Sequence, residues 1–215
     1  MNLITLTDPR SPVSEAYRTL RTNLSFYSLD NPLRSLVVTS PASGDEKSVA
    51  VANLAVTMAQ SGRRTVLVDC DLRRPSLHTF FNISNDTGLT SMILNDDAKP
   101  PLQTTSVDNL WLLASGPKPP NPADLLGSRK IDQLIELLTD QYDVVLFDAP
   151  PVIAVTDAAV LGAKVDGVLL VISAGKSRRD HAERAKEMLE KARVRIIGVA
   201  LTNAPKDSSL DGYYE

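Results

Sequence analysis

Short apolar runs alternate along the chain with longer stretches in which apolar residues return every three or four positions. The runs at 36–38, 64–69, 109–114, 166–173 and 195–201 are expected strands, as is the run Val144-Val145-Leu146-Phe147-Asp148 within 142–151. Runs that are apolar without alternation belong to strands buried on both faces. Helices are expected over 11–28, 49–61, 88–94, 128–138 and 177–192, with two more opened by Asn121-Pro122 and by Asp157. The helix at 49–61 is polar only at Asn53, Thr57 and Gln60, so it should be largely buried. In the first helix Val13, Ala16, Tyr17, Leu20, Leu24 and Tyr27 form one stripe, and Glu15, Arg18 and Arg21 step along the other side. Strands and helices in this order imply a mostly parallel sheet with helices on both faces and ligands at the carboxyl ends of the strands.

Length and composition narrow the class without naming a chemistry. At 215 residues the chain suits one α/β domain, with an N-terminal helical segment over 1–32 and a tail over 204–215. A net charge of −3 argues against nucleic acid as a partner. Apolar runs fall short of the ~18–20 residues of a membrane span, and the first twelve residues lack the apolar core of a signal peptide. Cys70 is the sole cysteine, so no internal disulfide forms. The expectation is a cytoplasmic protein, or the soluble part of an assembly.

The chemistry starts after the first strand. A small-residue loop there delivers Lys47 and Ser48 to the start of a helix, the layout of a phosphate cradle. Against the GxxxxGK[ST] pattern, Pro41 and Glu46 replace the two glycines, and only Gly44, Lys47 and Ser48 remain. Downstream, Asp69 and Asp71 end a second strand, where paired carboxylates can hold metal-bound water and polarise a hydroxyl; one of them could equally cap the next turn. Asp148 ends a third strand, where an acid can orient Mg²⁺ through water. Arg73-Arg74 is either a surface pair or a phosphate contact, and Cys70 reads as a small core residue. Three strand ends converging on one place carry the argument.

These motifs together resemble the cytoplasmic kinase domain of the bacterial tyrosine autokinases of capsule and exopolysaccharide synthesis, P-loop proteins related to the MinD/ParA ATPases. The resemblance runs from about Ser14 to Asn203 and rests on three stretches. They are Glu15 to Arg21 (an ExxRxxR oligomerisation motif), Thr65 to Pro75 (a second Walker A-type motif) and Val144 to Pro151 (a Walker B). It implies a three-layer P-loop fold in which the loop Ser43, Gly44, Asp45, Glu46, Lys47, Ser48 and Val49 holds ATP or ADP, with Asn203 near adenine. Lys47 would contact the β- and γ-phosphates, Ser48 would ligate Mg²⁺, and Asp69 and Asp148 would organise the metal and its waters. Asp71 would be the base toward a tyrosine hydroxyl. Glu15, Arg18 and Arg21 would join subunits into a ring, and Tyr213 and Tyr214 would be phospho-acceptors offered to a neighbouring subunit. A membrane adaptor of polysaccharide export would be the activating partner and recruit the chain to the inner face of the membrane.

The sequence departs from that family at two places. The loop of relatives reads Gly-Glu-Gly-Lys-Ser-Thr, against Gly44-Asp45-Glu46-Lys47-Ser48-Val49 here. A glutamate at a positive φ costs about 1 kcal/mol. Its charge at ~5 Å from a phosphate would cost roughly 3 kcal/mol at an effective dielectric of about 20. Val49 also lacks the hydroxyl that relatives use on the α-phosphate, and the tail carries only a tyrosine pair. The alternatives are therefore a nucleotide-impaired scaffold of the same machinery, or a MinD/ParA-type ATPase. A dinucleotide oxidoreductase is the weakest reading, because no GxGxxG follows a strand.

Overall fold

Uninterrupted burial of the apolar runs sets the architecture: the strands at 35–39, 65–69 and 144–148 are buried at every position. A computed structural model describes residues 3–27, 32–95 and 99–205. In chain order the elements are α1 (Ile4–Thr7), α2 (Pro12–Phe26), β1 (Ser35–Thr39), α3 (Lys47–Gln60), β2 (Thr65–Asp69), α4 (Leu77–Phe80) and α5 (Leu89–Asn95). There follow β3 (Gln103–Thr104), β4 (Leu110–Leu113), α6 (Pro122–Gly127), α7 (Arg129–Gln141), β5 (Val144–Asp148), α8 (Asp157–Gly162), β6 (Gly167–Ser173), α9 (Arg179–Lys191) and β7 (Ile196–Thr202). Among the described residues the strands form one sheet ordered β3-β4-β2-β5-β1-β6-β7, parallel except for the β3–β4 pair.

Alternation within each strand divides the core into two layers. Val37, Val66, Val68, Val145 and Phe147 face α5 to α9, while Leu36, Val38, Leu67 and Leu146 face α1 to α4. Parallel pairing places β2 and β5 in register, with Asp69 opposite Asp148 at their carboxyl ends. β1, which feeds the loop before α3, is paired with β5 on one side and β6 on the other. This three-layer P-loop fold is the one expected.

The amino-terminal helices differ from the sequence reading. The core-facing positions of α2 include Ser14, Tyr17 and Leu24, whereas Val13, Ala16 and Tyr27 of the expected stripe are exposed. The reason is the polar stripe on α3. Asn53 and Thr57 are fully buried because α1 and α2 lie over them. Thr5 donates to Asn53 Oδ1 from its backbone N–H at 3.1 Å and from its hydroxyl at 2.8 Å, and Arg21 donates to the Thr57 carbonyl at 3.1 Å. Burial then requires such partners. The short elements α1, α4 and β3 were not foreseen; each is four residues or fewer, too short to show a period.

Candidate active site

Residues 40–46 connect β1 to α3, and two of them require left-handed backbone: Gly44 at φ 95° and Glu46 at φ 61°. Gly44 adopts this freely, whereas Glu46 has a Cβ that meets the following carbonyl, so the strain expected of a glutamate here is present. The Glu46 carboxylate makes no capping bond to α3. It accepts instead from Lys176 Nζ at 3.0 Å and Asn203 Nδ2 at 3.2 Å, and these bonds hold it below the usual carboxylate range. Asn203, just past β7, also donates to Ser173 Oγ at 2.8 Å. Asp45 is buried and staples the loop, accepting from Ala42 N at 3.2 Å and from Ser177 Oγ at 2.6 Å. Ser43 is exposed on the loop and Val49 is half-buried in the first turn of α3.

Lys47 opens α3 and closes an ion cluster under the loop. Its Nζ lies 2.9 Å from Asp71 Oδ2 and 2.9 Å from Asp148 Oδ1, and it donates to Ser48 Oγ at 3.2 Å. The Ser48 hydroxyl in turn donates to Asp148 Oδ2. Lys47 and Asp71 are 8% and 6% exposed and Asp148 not at all, so these charges meet out of water. Burial disfavours the ammonium, but Asp148 and Asp71 outweigh it and raise Lys47 above the lysine range. Burial raises Asp148 against the pull of Lys47 and Ser48.

Asp69 behaves differently from Asp71. The chain leaves the strand at Asp69, whose Oδ2 accepts from the N–H groups of Ser76 and Leu77 at 3.0 Å and whose Oδ1 accepts from Asp71 N at 3.2 Å. It thus ties the loop after β2 to the start of α4, while Asp71 caps the turn that follows it, its Oδ1 accepting from Arg74 N at 3.0 Å. Burial, and then the neighbouring Asp148, push it up to about 8. Cys70, between the two acids, is buried and its thiol is pushed up by burial and the surrounding carboxylates, which leaves it a core residue. Among the described residues no three His, Cys, Asp or Glu side chains form a metal cluster.

Several contacts of the site were not legible in the sequence. Arg73 and Arg74 are both exposed, as a surface pair would be, but Arg73 also makes a bidentate pair with the fully buried Asp157 of α8, Nε to Oδ2 at 3.0 Å and Nη2 to Oδ1 at 3.1 Å. Lys176 and Ser177 reach the loop from 130 and 132 residues away, with no spacing to announce them. On α2, Glu15 and Arg18 form an i,i+3 ion pair, and Arg18 also donates to the Pro9 carbonyl at 2.7 Å. Tyr17, one position before Arg18, is raised to about 12 by burial and by the Glu46 charge, so its phenol stays neutral. Tyr213 and Tyr214 lie outside the described residues.

Comparison with known proteins agrees with this geometry. A ParA family model, described as NUBPL iron-transfer P-loop NTPase, matches residues 33–204. Tyrosine-protein kinase YwqD of Bacillus subtilis is 44% identical over 216 residues, covering 99% of this chain and 91% of that protein. The crystal structure of the chimerical protein CapA2B2 superposes with a TM-score of 0.89 at 38% identity, over 95% of this chain and 90% of that one. The kinase domain of the Escherichia coli tyrosine kinase ETK gives 0.89 at 32% identity, over 97% and 82%. With a P-loop fold, a lysine held between Asp71 and Asp148 and relatives of this closeness, the chain belongs to the bacterial tyrosine-protein kinases.

Proposed function

We propose that the chain is an ATP·Mg²⁺-dependent protein-tyrosine autokinase that regulates capsular or exopolysaccharide synthesis and export. The observation that carries the reading is Lys47, held between Asp71 and Asp148 at the start of α3. An ammonium beside the amino end of a 14-residue helix suits a polyphosphate. A hydroxyl and a carboxylate already bonded to each other, Ser48 and Asp148, are the hard oxygen donors that Mg²⁺ takes while keeping most of its waters, so the donor set fits. When bound, Mg²⁺ would supply charge neutralisation at the β- and γ-phosphate oxygens.

In this reading Lys47 turns from the carboxylates to the β- and γ-phosphates, and the loop from Ser43 to Val49 wraps the anion. Asp69 and Asp148 would orient Mg²⁺ through its waters. Asp71, released from Lys47, takes the proton of a tyrosine hydroxyl as the new O–P bond forms and the bond to ADP breaks. With both amide hydrogens of Asn203 committed to Glu46 and Ser173, its Oδ1 is left to accept from the 6-amino group of adenine. Tyr213 and Tyr214 are the acceptors, Glu15, Arg18 and Arg21 join subunits, and a membrane adaptor recruits the chain to the inner face of the cell membrane. Among the described residues no helix is long and apolar enough to cross a membrane.

The scaffold reading is favoured by Glu46 at positive φ and by Val49. Calorimetry with ATP·Mg²⁺, on this chain and on Glu46→Gly, separates the two, followed by mass spectrometry of the tail after incubation. Micromolar binding and phosphate on Tyr213 or Tyr214 is the expected result. Binding only after Glu46 is replaced would favour the scaffold, and no binding by either protein would refute the nucleotide site.

A further inference from the structure

The Glu46 carboxylate has two places to go. It precedes α3 directly, where free first-turn N–H groups and the helix dipole attract an anion, and a carboxylate turned inward there would compete with phosphate for the same donors. Being tethered, it would compete at a high effective concentration. In the structure it makes no capping bond to the helix and sits on Lys176 and Asn203. Asn203 is a neutral donor already shared with Ser173, so Lys176 supplies the charge that holds the carboxylate outward.

We propose that Lys176 is a positioning residue for the nucleotide site: its ammonium clasps Glu46 and keeps the glutamate out of the phosphate cradle. A loop with glutamate in place of glycine can then still receive a polyphosphate. The inference rests on the nucleotide reading above and adds a residue from the β6–α9 connection to it. The pair itself is exposed, with Lys176 and Glu46 side chains 58% and 39% accessible, so it adds little to folding and its effect is felt through the ligand.

The test is calorimetric titration of ADP·Mg²⁺ into the unaltered chain, Lys176→Ala, Lys176→Arg, Glu46→Gly and the double variant Glu46→Gly/Lys176→Ala. With Glu46 present, Lys176→Ala is expected to weaken binding about tenfold (~1.4 kcal/mol). Lys176→Arg restores it, and thermal stability moves by less than a degree or two in either variant. With glycine at position 46, removing Lys176 costs only the loss of one nearby cation, about twofold. The Glu46-dependent part of the effect shrinks as salt is raised. An equal loss in both backgrounds would make Lys176 a nucleotide contact and overturn the proposal. No loss with Glu46 present overturns it too, as does binding by Glu46→Gly alone, because the clasp then fails to clear the site. No binding by any of the five proteins refutes the nucleotide reading and this inference with it.

Discussion

Replacing Lys47 by methionine, the obvious way to disable the site, should also unfold part of the margin that keeps the protein folded. Methionine fills much the same volume but removes the ammonium from between Asp71 and Asp148, whose side chains are 8% and 0% exposed. Asp69, also fully buried, stands opposite Asp148 in the strand register. The variant therefore leaves Asp71 and Asp148 out of water without a counter-charge. Removing one partner of a buried pair typically costs about 3–5 kcal/mol. For a chain of this size that lowers the melting temperature by roughly 6–20 °C. Urea unfolding without nucleotide, at pH 7.5 and low salt, measures it directly, with an unchanged slope showing that the unfolded state is not the cause. The loss should narrow as pH falls, since burial has already raised Asp148 and a proton replaces the missing ammonium. Lys47→Met/Asp148→Asn should recover most of the stability. A loss below about 1 kcal/mol, or none recovered by the double variant, would refute the buried cluster, because exposed pairs are worth no more than that.

Arg73→Ala should cost about 2 kcal/mol by stranding the buried Asp157 carboxylate, and Arg73→Lys about half as much because one ammonium cannot make the bidentate bond. Urea midpoints check both, and an unchanged Ala variant would mean that Asp157 has another partner. Asp69, pushed up to about 8, keeps a proton that the unfolded chain releases near pH 4, so its contribution to stability is greatest below pH 4 and is lost as pH rises through 8. Unfolding free energies at pH 5, 7 and 9 should therefore fall more steeply for the unaltered chain than for Asp69→Asn; parallel slopes would place the titration elsewhere.

The order of strands and helices, and the convergence of Lys47, Asp69, Asp71 and Asp148, were readable in the residues because each signal is local. An apolar run that stops at an acid fixes both the burial of the strand and the place of the carboxylate at its end. The positive φ of Glu46 was readable in the same way, from a glycine position in a loop of known shape. What the sequence could not decide was how charges remote along the chain pair across loops. Asp69 and Asp71 are two residues apart and chemically alike, yet one binds the N–H groups at the start of α4 while the other caps the turn at Arg74 and holds Lys47. That division depends on where the loop after β2 turns. Arg73 and Asp157, 84 positions apart, meet only because the loop leaving β2 passes the start of α8. The polar stripe on α3 became core because the amino-terminal helices lie over it, which rotated α2 away from its most apolar face. Glu46 and Lys176 are 130 positions apart. Local pattern determined which residues reach the site, and tertiary packing decided which charge each of them would face.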